Sequence, residues 1–319
     1  VVLSALASAV LAAGLGLAAL YFGQRALVAP GPLAAAADVV VPHGTLAGIA
    51  EALAAAGVIR DPLALRAAAW WTGAAGPLHA GEFRFPAAAS LRAALDVLRT
   101  ARPVQHRLTI AEGLTAAQIA ALFNDDPLLS GPKVAPAEGA VLPETYAYER
   151  DTPRAAVLAR AERAMDRALA KAWAGRAKGL GLSGPRQMLI LASMVERETA
   201  KPEERPMVAA VFLNRLRQGM RLQSDPTVLY AVTGGAGALE RKLTRADLES
   251  DSPYNTYRVA GLPPGPIASP GRAALEAVVH PADSDALYFV ADGTGGHAFA
   301  HTLAEHNRNV AKWRALDGK

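Results

Sequence analysis

Gln187-Met188-Leu189-Ile190-Leu191-Ala192-Ser193-Met194-Val195-Glu196-Arg197-Glu198-Thr199 reads as a single helix. Leu191, Met194 and Val195 recur at i, i+3 and i+4, the spacing of one buried helix face. Glu198 continues that stripe at i+7, while Glu196 and Arg197 fall off it. At about 100° per residue the two glutamates point roughly 200° apart, so they cannot line one cleft as a pair. A carboxylate that ends an apolar stripe is costly to ionise, and its pKa is expected to rise. A general acid working near neutral pH needs such a rise. Periodicity alone leaves a second reading open, a solvated helix end without chemistry.

Downstream, Val208, Val211, Phe212 and Leu216 mark another buried helix face, ending at Gly219. The run Arg221-Leu222-Gln223-Ser224-Asp225-Pro226-Thr227 follows. Asp225-Pro226 has helix N-cap chemistry, and capping alone would account for it. Gln223, Ser224 and Thr227 also offer short polar groups of the kind that hydrogen-bond sugar hydroxyls. Ser252-Pro253-Tyr254-Asn255-Thr256-Tyr257 joins aromatic faces to an amide, a composition suited to pyranose rings, although two tyrosines at i and i+3 equally suit a core. Residues 287–290 read as a strand. His297 and His301 follow a glycine turn in an alternating pattern, so both are expected on one face of a strand, as polar lining or surface, rather than as metal ligands. Thr302 and Glu305 make a capping box for a last helix through Trp313.

Upstream, Thr152-Pro153 is expected to open a long helix whose stripe contains Val157, Leu158, Ala161, Met165, Leu169 and Ala172. Residues 108–110 read as a strand, and Thr115 with Gln118 as a capping box. Further back, residues 39–41 and 82–85 read as strands. Between them lie two helices, one capped by Thr45 and one by Asp61-Pro62; Ser90 caps a third after them. The order strand, helix, helix, strand resembles a LysM-like unit, a small fold associated with glycan binding; a small α+β spacer fits the order equally.

Residues 1–22 contain no charged side chain. As a helix they span about 33 Å, enough for a bilayer core of about 30 Å. Tyr21, Gln24 and Arg25 stand where an interface begins. A cleaved signal peptide is the rival reading, with small residues at 34–37 near a cleavage site, although its apolar core is usually shorter. Because the sequence begins at Val1 rather than Met, upstream residues are expected, and without them the positive-inside rule sets no orientation.

The chain has 319 residues, 51% of them hydrophobic, enough for about two domains and an anchor. Its net charge of +4 is dispersed, without the concentrated basic patch of a nucleic-acid binder, so no nucleic-acid partner is expected. It has no cysteine, which rules out disulfides and Cys-ligated metals. It also lacks a P-loop, a dinucleotide-binding Gly-x-Gly-x-x-Gly and a Gly-x-Ser-x-Gly elbow. No cofactor and no metal are expected.

Taken together, residues 191–199 resemble the signature of the YceG-like endolytic murein transglycosylases. The resemblance runs on through Val211-Phe212-Leu213-Asn214-Arg215-Leu216, Gln223-Ser224-Asp225-Pro226-Thr227, Tyr254-Asn255-Thr256-Tyr257 and Gly261-Leu262-Pro263-Pro264-Gly265-Pro266-Ile267. It includes Leu287-Tyr288-Phe289-Val290-Ala291-Asp292-Gly293 and, upstream, Glu138-Gly139 with Leu142-Pro143-Glu144-Thr145-Tyr146, where Glu144 stands in place of a usual Asp. Motifs in this order cover residues 108–313.

The resemblance implies an α+β chain. Its parts are a transmembrane anchor (1–23), a linker (24–38), a LysM-like domain (39–102), a connecting region (103–150) and a mixed α/β catalytic domain (151–319). It makes Glu198, the glutamate followed by Thr, the catalytic acid/base, and Glu196 structural. The implied reaction cleaves the MurNAc-β-1,4-GlcNAc bond of peptidoglycan and leaves a 1,6-anhydro end. Gln223, Ser224, Asp225, Thr227, Tyr254 and Asn255 are expected to bind substrate. The resemblance also implies an inner-membrane location with the catalytic domain outside the cytoplasm, and peptidoglycan synthases as partners in trimming or terminating strands. Two other functions stay open: a water-using muramidase with Asp225 or Glu144 as second carboxylate, and a non-catalytic wall-binding scaffold.

Overall fold

A computed structural model describes residues 2–317, with side chains for 10–316. Contacts divide the chain into two compact units between His106 and Arg107, so residues 107–150 fold with the rest of the second unit.

The first unit begins with helix α1 (Val2–Val28), which extends five residues past the expected anchor boundary. Strand β1 (Ala37–Val41), helices α2 (Leu46–Ala55) and α3 (Pro62–Trp71), strand β2 (Gly81–Phe85) and helix α4 (Leu91–Thr100) follow. The three expected caps form: Thr45, Asp61 and Ser90 accept from the backbone N–H groups of Gly48, Leu63 and Ala93. Each such cap contributes about 1 kcal/mol. β1 and β2 pair antiparallel with Val39 opposite Phe83. Val39, Val41, Phe83 and Phe85 turn inward from this pair onto Leu53, Leu65, Leu95 and Leu98 of the helices. The strand–helix–helix–strand order is the expected one.

The second unit has two cores. The smaller lies under the strand pair β3 (His106–Thr109) and β4 (Thr145–Tyr148), with helix α5 (Ala116–Asn124) and the start of α6 (Arg154–Gly175). Thr115 and Gln118 complete the capping box of α5. Thr152 does not cap α6, because its hydroxyl donates to the carbonyl of Glu149 and leaves Pro153 at the cap position. The larger core packs α6 with α7 (Pro185–Glu198), α8 (Arg205–Arg217) and α11 (Arg272–Val279) around Met188, Leu191, Val195, Phe212 and Val278. Helix α9 (Asp225–Thr233) and the short α10 (Arg245–Leu248) come before α11. The antiparallel hairpin β5 (Tyr288–Ala291) and β6 (His297–Ala300) and the last helix α12 (Leu303–Asp317) complete the unit. His297 lies on β6 as expected, but His301 falls just beyond it, exposed beside Asp285.

Gly139 shows how the distant motifs interlock. Its φ of +73° is in the left-handed region, and a Cβ there would come within 2.8 Å of the Pro266 ring. Glycine alone meets both conditions without strain. The Glu138-Gly139 and Pro264-Gly265-Pro266 segments are therefore in direct contact.

Candidate active site

Glu198 is the last residue of α7, and Thr199 behind it is the C-cap. The apolar stripe predicted from the sequence is buried: Leu191, Met194 and Val195 have no exposed surface. Glu198 emerges from that stripe, half-buried, into a cavity of about 490 Å³. Ser224, itself buried, donates its hydroxyl to Glu198 Oε2 at 2.8 Å. The pKa of Glu198 is pushed up to about 7, chiefly by burial and further by the nearby charge of Asp225. The Ser224 hydrogen bond, His297 and Arg215 act in the opposite direction. A carboxyl poised near 7 is both an available acid and, once deprotonated, an available base.

Glu196 is committed elsewhere. One oxygen is 2.7 Å from Arg205 Nη2, and the other accepts from the Gly271 N–H at 2.8 Å. The two glutamates thus face different surroundings, as their angular separation requires.

Five further segments of the second unit supply the cavity wall. Arg215 comes from α8, Gln223 and Asp225 from the entry into α9 and its first residue, Tyr257 from the turn after α10, Phe289 and His297 from the hairpin, and His306 and Trp313 from α12. Capping of α9 was one reading open for Asp225, substrate binding another. Asp225 is the first helical residue, Ser224 holds the cap position, and the Asp225 carboxylate accepts from the Tyr257 hydroxyl at 2.6 Å. Gln223 is exposed and has a φ of +51°, an unfavourable conformation for a residue with a Cβ. Such strain collects at functional positions.

The remaining expected residues lie behind this wall. Thr227 is fully buried and links the Ser224 carbonyl to the Thr256 hydroxyl. Asn255 is fully buried too; its amide donates to the carbonyls of Leu248 and Ser250 and accepts from the Tyr257 N–H. Tyr254 packs its ring on Tyr230, with centroids 4.8 Å apart, against the larger core. None of the three lines the cavity.

Sequence reasoning did not assign Arg215 or His306 to the site, and left a binding role for Tyr257 and a lining role for His297 open beside structural ones. A signal for Arg215 was present: it falls at i+7 from Val208 on a face otherwise made of Val211 and Phe212. Its guanidinium is buried and donates to the carbonyls of Leu287 and Leu222 at 2.6 and 2.8 Å. His297 hydrogen-bonds through Nδ1 to Glu204 at 2.7 Å. Burial opposes ionisation of Glu204, but the ring and backbone of His297 and the Thr199 hydroxyl outweigh it and lower its pKa. His306 Nδ1 is buried without a hydrogen-bond partner among the described residues. Among those residues no cluster of His, Asp and Glu has the arrangement of a metal site.

The cavity wall holds two carboxyl groups, Glu198 with its raised pKa and the exposed Asp225. A match to the YceG-like family covers residues 39–312. A Bacillus subtilis (strain 168) protein named endolytic murein transglycosylase is 31% identical over 309 residues, covering 86% of this chain and 84% of that protein. A protein of the same name from Streptococcus pneumoniae (strain D39) is 38% identical over 182 residues, 55% of this chain but only 32% of the longer relative. The crystal structure of a YceG-like protein from Listeria monocytogenes superposes with a TM-score of 0.54 at 31% identity, over 86% of this chain and 98% of that one. The chain belongs to the YceG-like family.

Proposed function

We propose that this chain is an endolytic lytic transglycosylase that cuts peptidoglycan glycan strands between MurNAc and GlcNAc, with Glu198 as its one acid/base. The observation that carries the reading is the half-buried Glu198 carboxyl, with a pKa near 7, opening into the polar cavity. Protonated Glu198 gives its proton to the glycosidic oxygen as the C1–O bond breaks. The muramyl 6-hydroxyl then bonds to C1 and returns its proton to the Glu198 carboxylate. The atoms balance without water, and the product end is a 1,6-anhydro sugar. A glycosidase that uses water or a covalent intermediate needs two carboxylates, but an internal nucleophile removes that need.

In this mechanism Ser224 and Arg215 favour the ionised form of Glu198, which serves the second proton transfer. Gln223, Asp225 and Tyr257 offer polar groups to the glycan from the wall, and Thr227 and Asn255 act by holding Ser224 and Tyr257 in place. The strand–helix–helix–strand unit is proposed to hold the strand; deletion of residues 39–101 should then weaken binding to sacculi. The apolar helix α1, with mean hydropathy 1.4 over Val10–Val28, suits a single-pass anchor with both units outside the cytoplasm. There the enzyme would trim or terminate strands beside their synthases.

One observation favours a second reading. Asp225 shares the cavity with Glu198, so a water-using muramidase has a second carboxylate available. Glu144, the other candidate, pairs with Arg272 and does not line the cavity. The test is fragment release from purified sacculi by the wild type, Glu198→Gln and Glu196→Gln. Anhydro ends from the wild type and Glu196→Gln but not from Glu198→Gln are expected. Reducing ends would establish the muramidase, and release by Glu198→Gln would remove Glu198 from the mechanism.

A further inference from the structure

Helix α3 is apolar on two sides. Leu65, Ala68 and Ala69 face the core of the first unit. Leu63, Ala67 and Trp70, at i, i+4 and i+7, face outward, with Leu63 66% and Trp70 82% exposed. Trp71 beside them is 57% exposed. Arg66 is exposed on the same outward face beside Trp70, where its long side chain can carry the charge toward lipid headgroups, and contiguous exposed aromatic surface marks a contact site.

The place of this stripe indicates what covers it. Leu27, near the end of α1, is buried in the same core. An apolar groove of about 200 Å³ runs between the two helices, with Gln24, Ala26 and Leu27 on one wall and Ala64, Ala67 and Trp71 on the other. Trp71 is thereby fixed level with the last turn of the apolar segment Val10–Val28. Tyr21 and Arg25 lie within a turn or so of that level, with the guanidinium 5.1 Å from the ring centroid. Tryptophan, tyrosine and arginine at the end of a spanning helix are the composition of a bilayer interface.

We propose that the outer face of α3, formed by Leu63, Trp70 and Trp71, inserts into the lipid surface from which α1 emerges. This rests on the reading of α1 as an anchor. The first unit is then held in a fixed orientation on the membrane, not swung freely on a tether.

The absence of cysteine allows site-directed spin labels on the full chain, reconstituted in phosphatidylethanolamine–phosphatidylglycerol vesicles. Labels go on Leu63→Cys and Trp70→Cys, on Leu15→Cys within α1, and on Glu51→Cys, exposed on α2. The expected result is a ratio of oxygen to nickel-chelate collisions several-fold higher at 15, 63 and 70 than at 51. A high ratio at 15 with 63 and 70 like 51 overturns the inference and leaves the anchor standing. An aqueous label at 15 overturns both. Protection from both reagents at 63 and 70 overturns it in favour of a covering protein. In unlabelled chain, brominated acyl chains should quench tryptophan emission, and the quenched fraction should fall in Trp70→Ser; an unchanged fraction counts against lipid contact.

Discussion

Glu198→Gln should stabilise the fold above neutral pH while abolishing strand cleavage. Burial raises the folded-state pKa of Glu198 from 4.5 to about 7. A carboxyl with a raised folded pKa supports the fold fully below its unfolded pKa. That support is lost as pH rises from about 4.5 through about 7, because the unfolded chain releases the proton first. The gap of 2.5 units at 1.36 kcal/mol each sets an upper bound of about 3 kcal/mol, reduced by water reaching the carboxyl through the cavity. Glutamine carries no charge and can keep the Ser224 hydroxyl as a donor. Chemical denaturation of wild type and variant in the same detergent, at pH 4 and pH 8, isolates the effect because every other titrating group is common to both. The variant should match the wild type at pH 4 and gain up to about 3 kcal/mol at pH 8. An equal difference at both pH values, or a loss at pH 8, would refute the claim that burial holds this carboxyl protonated.

Ser224→Ala removes a hydroxyl that favours the ionised carboxylate, so the alkaline limb of kcat/KM should move up by about one pH unit; a limb that stays or moves down removes Ser224 from the tuning. Asn255→Ala strands the buried carbonyls of Leu248 and Ser250 and should cost about 2–3 kcal/mol in urea unfolding. Glu196→Gln weakens the ion pair with Arg205, which keeps only Glu112 at 3.3 Å, and should lose about 3 kcal/mol or less while the product ends stay the same. A changed product would give Glu196 a chemical role.

Glu198 was legible because a periodic apolar stripe on one helix predicts where its i+7 position points. The caps at Thr45, Asp61, Ser90 and Thr115 were legible because they depend on groups within a few residues. For Asp225 the sequence left capping and binding both open, for the opposite reason. Its partner, the Tyr257 hydroxyl, lies 32 residues away, and local sequence carries no trace of that pairing. Tyr254 and Asn255 have the composition of a sugar site; Asn255 is fully buried with its amide bonded to the backbone, and Tyr254 is half-buried with its ring on Tyr230. Strand β4 and helix α11 went unread: β4 is four residues long, and α11 follows a glycine and proline-rich run that reads as turn. Burial of Leu275, Val278 and Val279 against α7 and α8 holds α11 in place.

The most direct measurement is digestion of purified sacculi in ¹⁸O-water, followed by mass spectrometry of the released muramyl ends. Attack by the 6-hydroxyl predicts anhydro ends carrying no ¹⁸O, formed by the wild type and absent with Glu198→Gln. Reducing ends with one ¹⁸O at C1 would mean that water is the nucleophile, and would contradict the single-carboxylate mechanism.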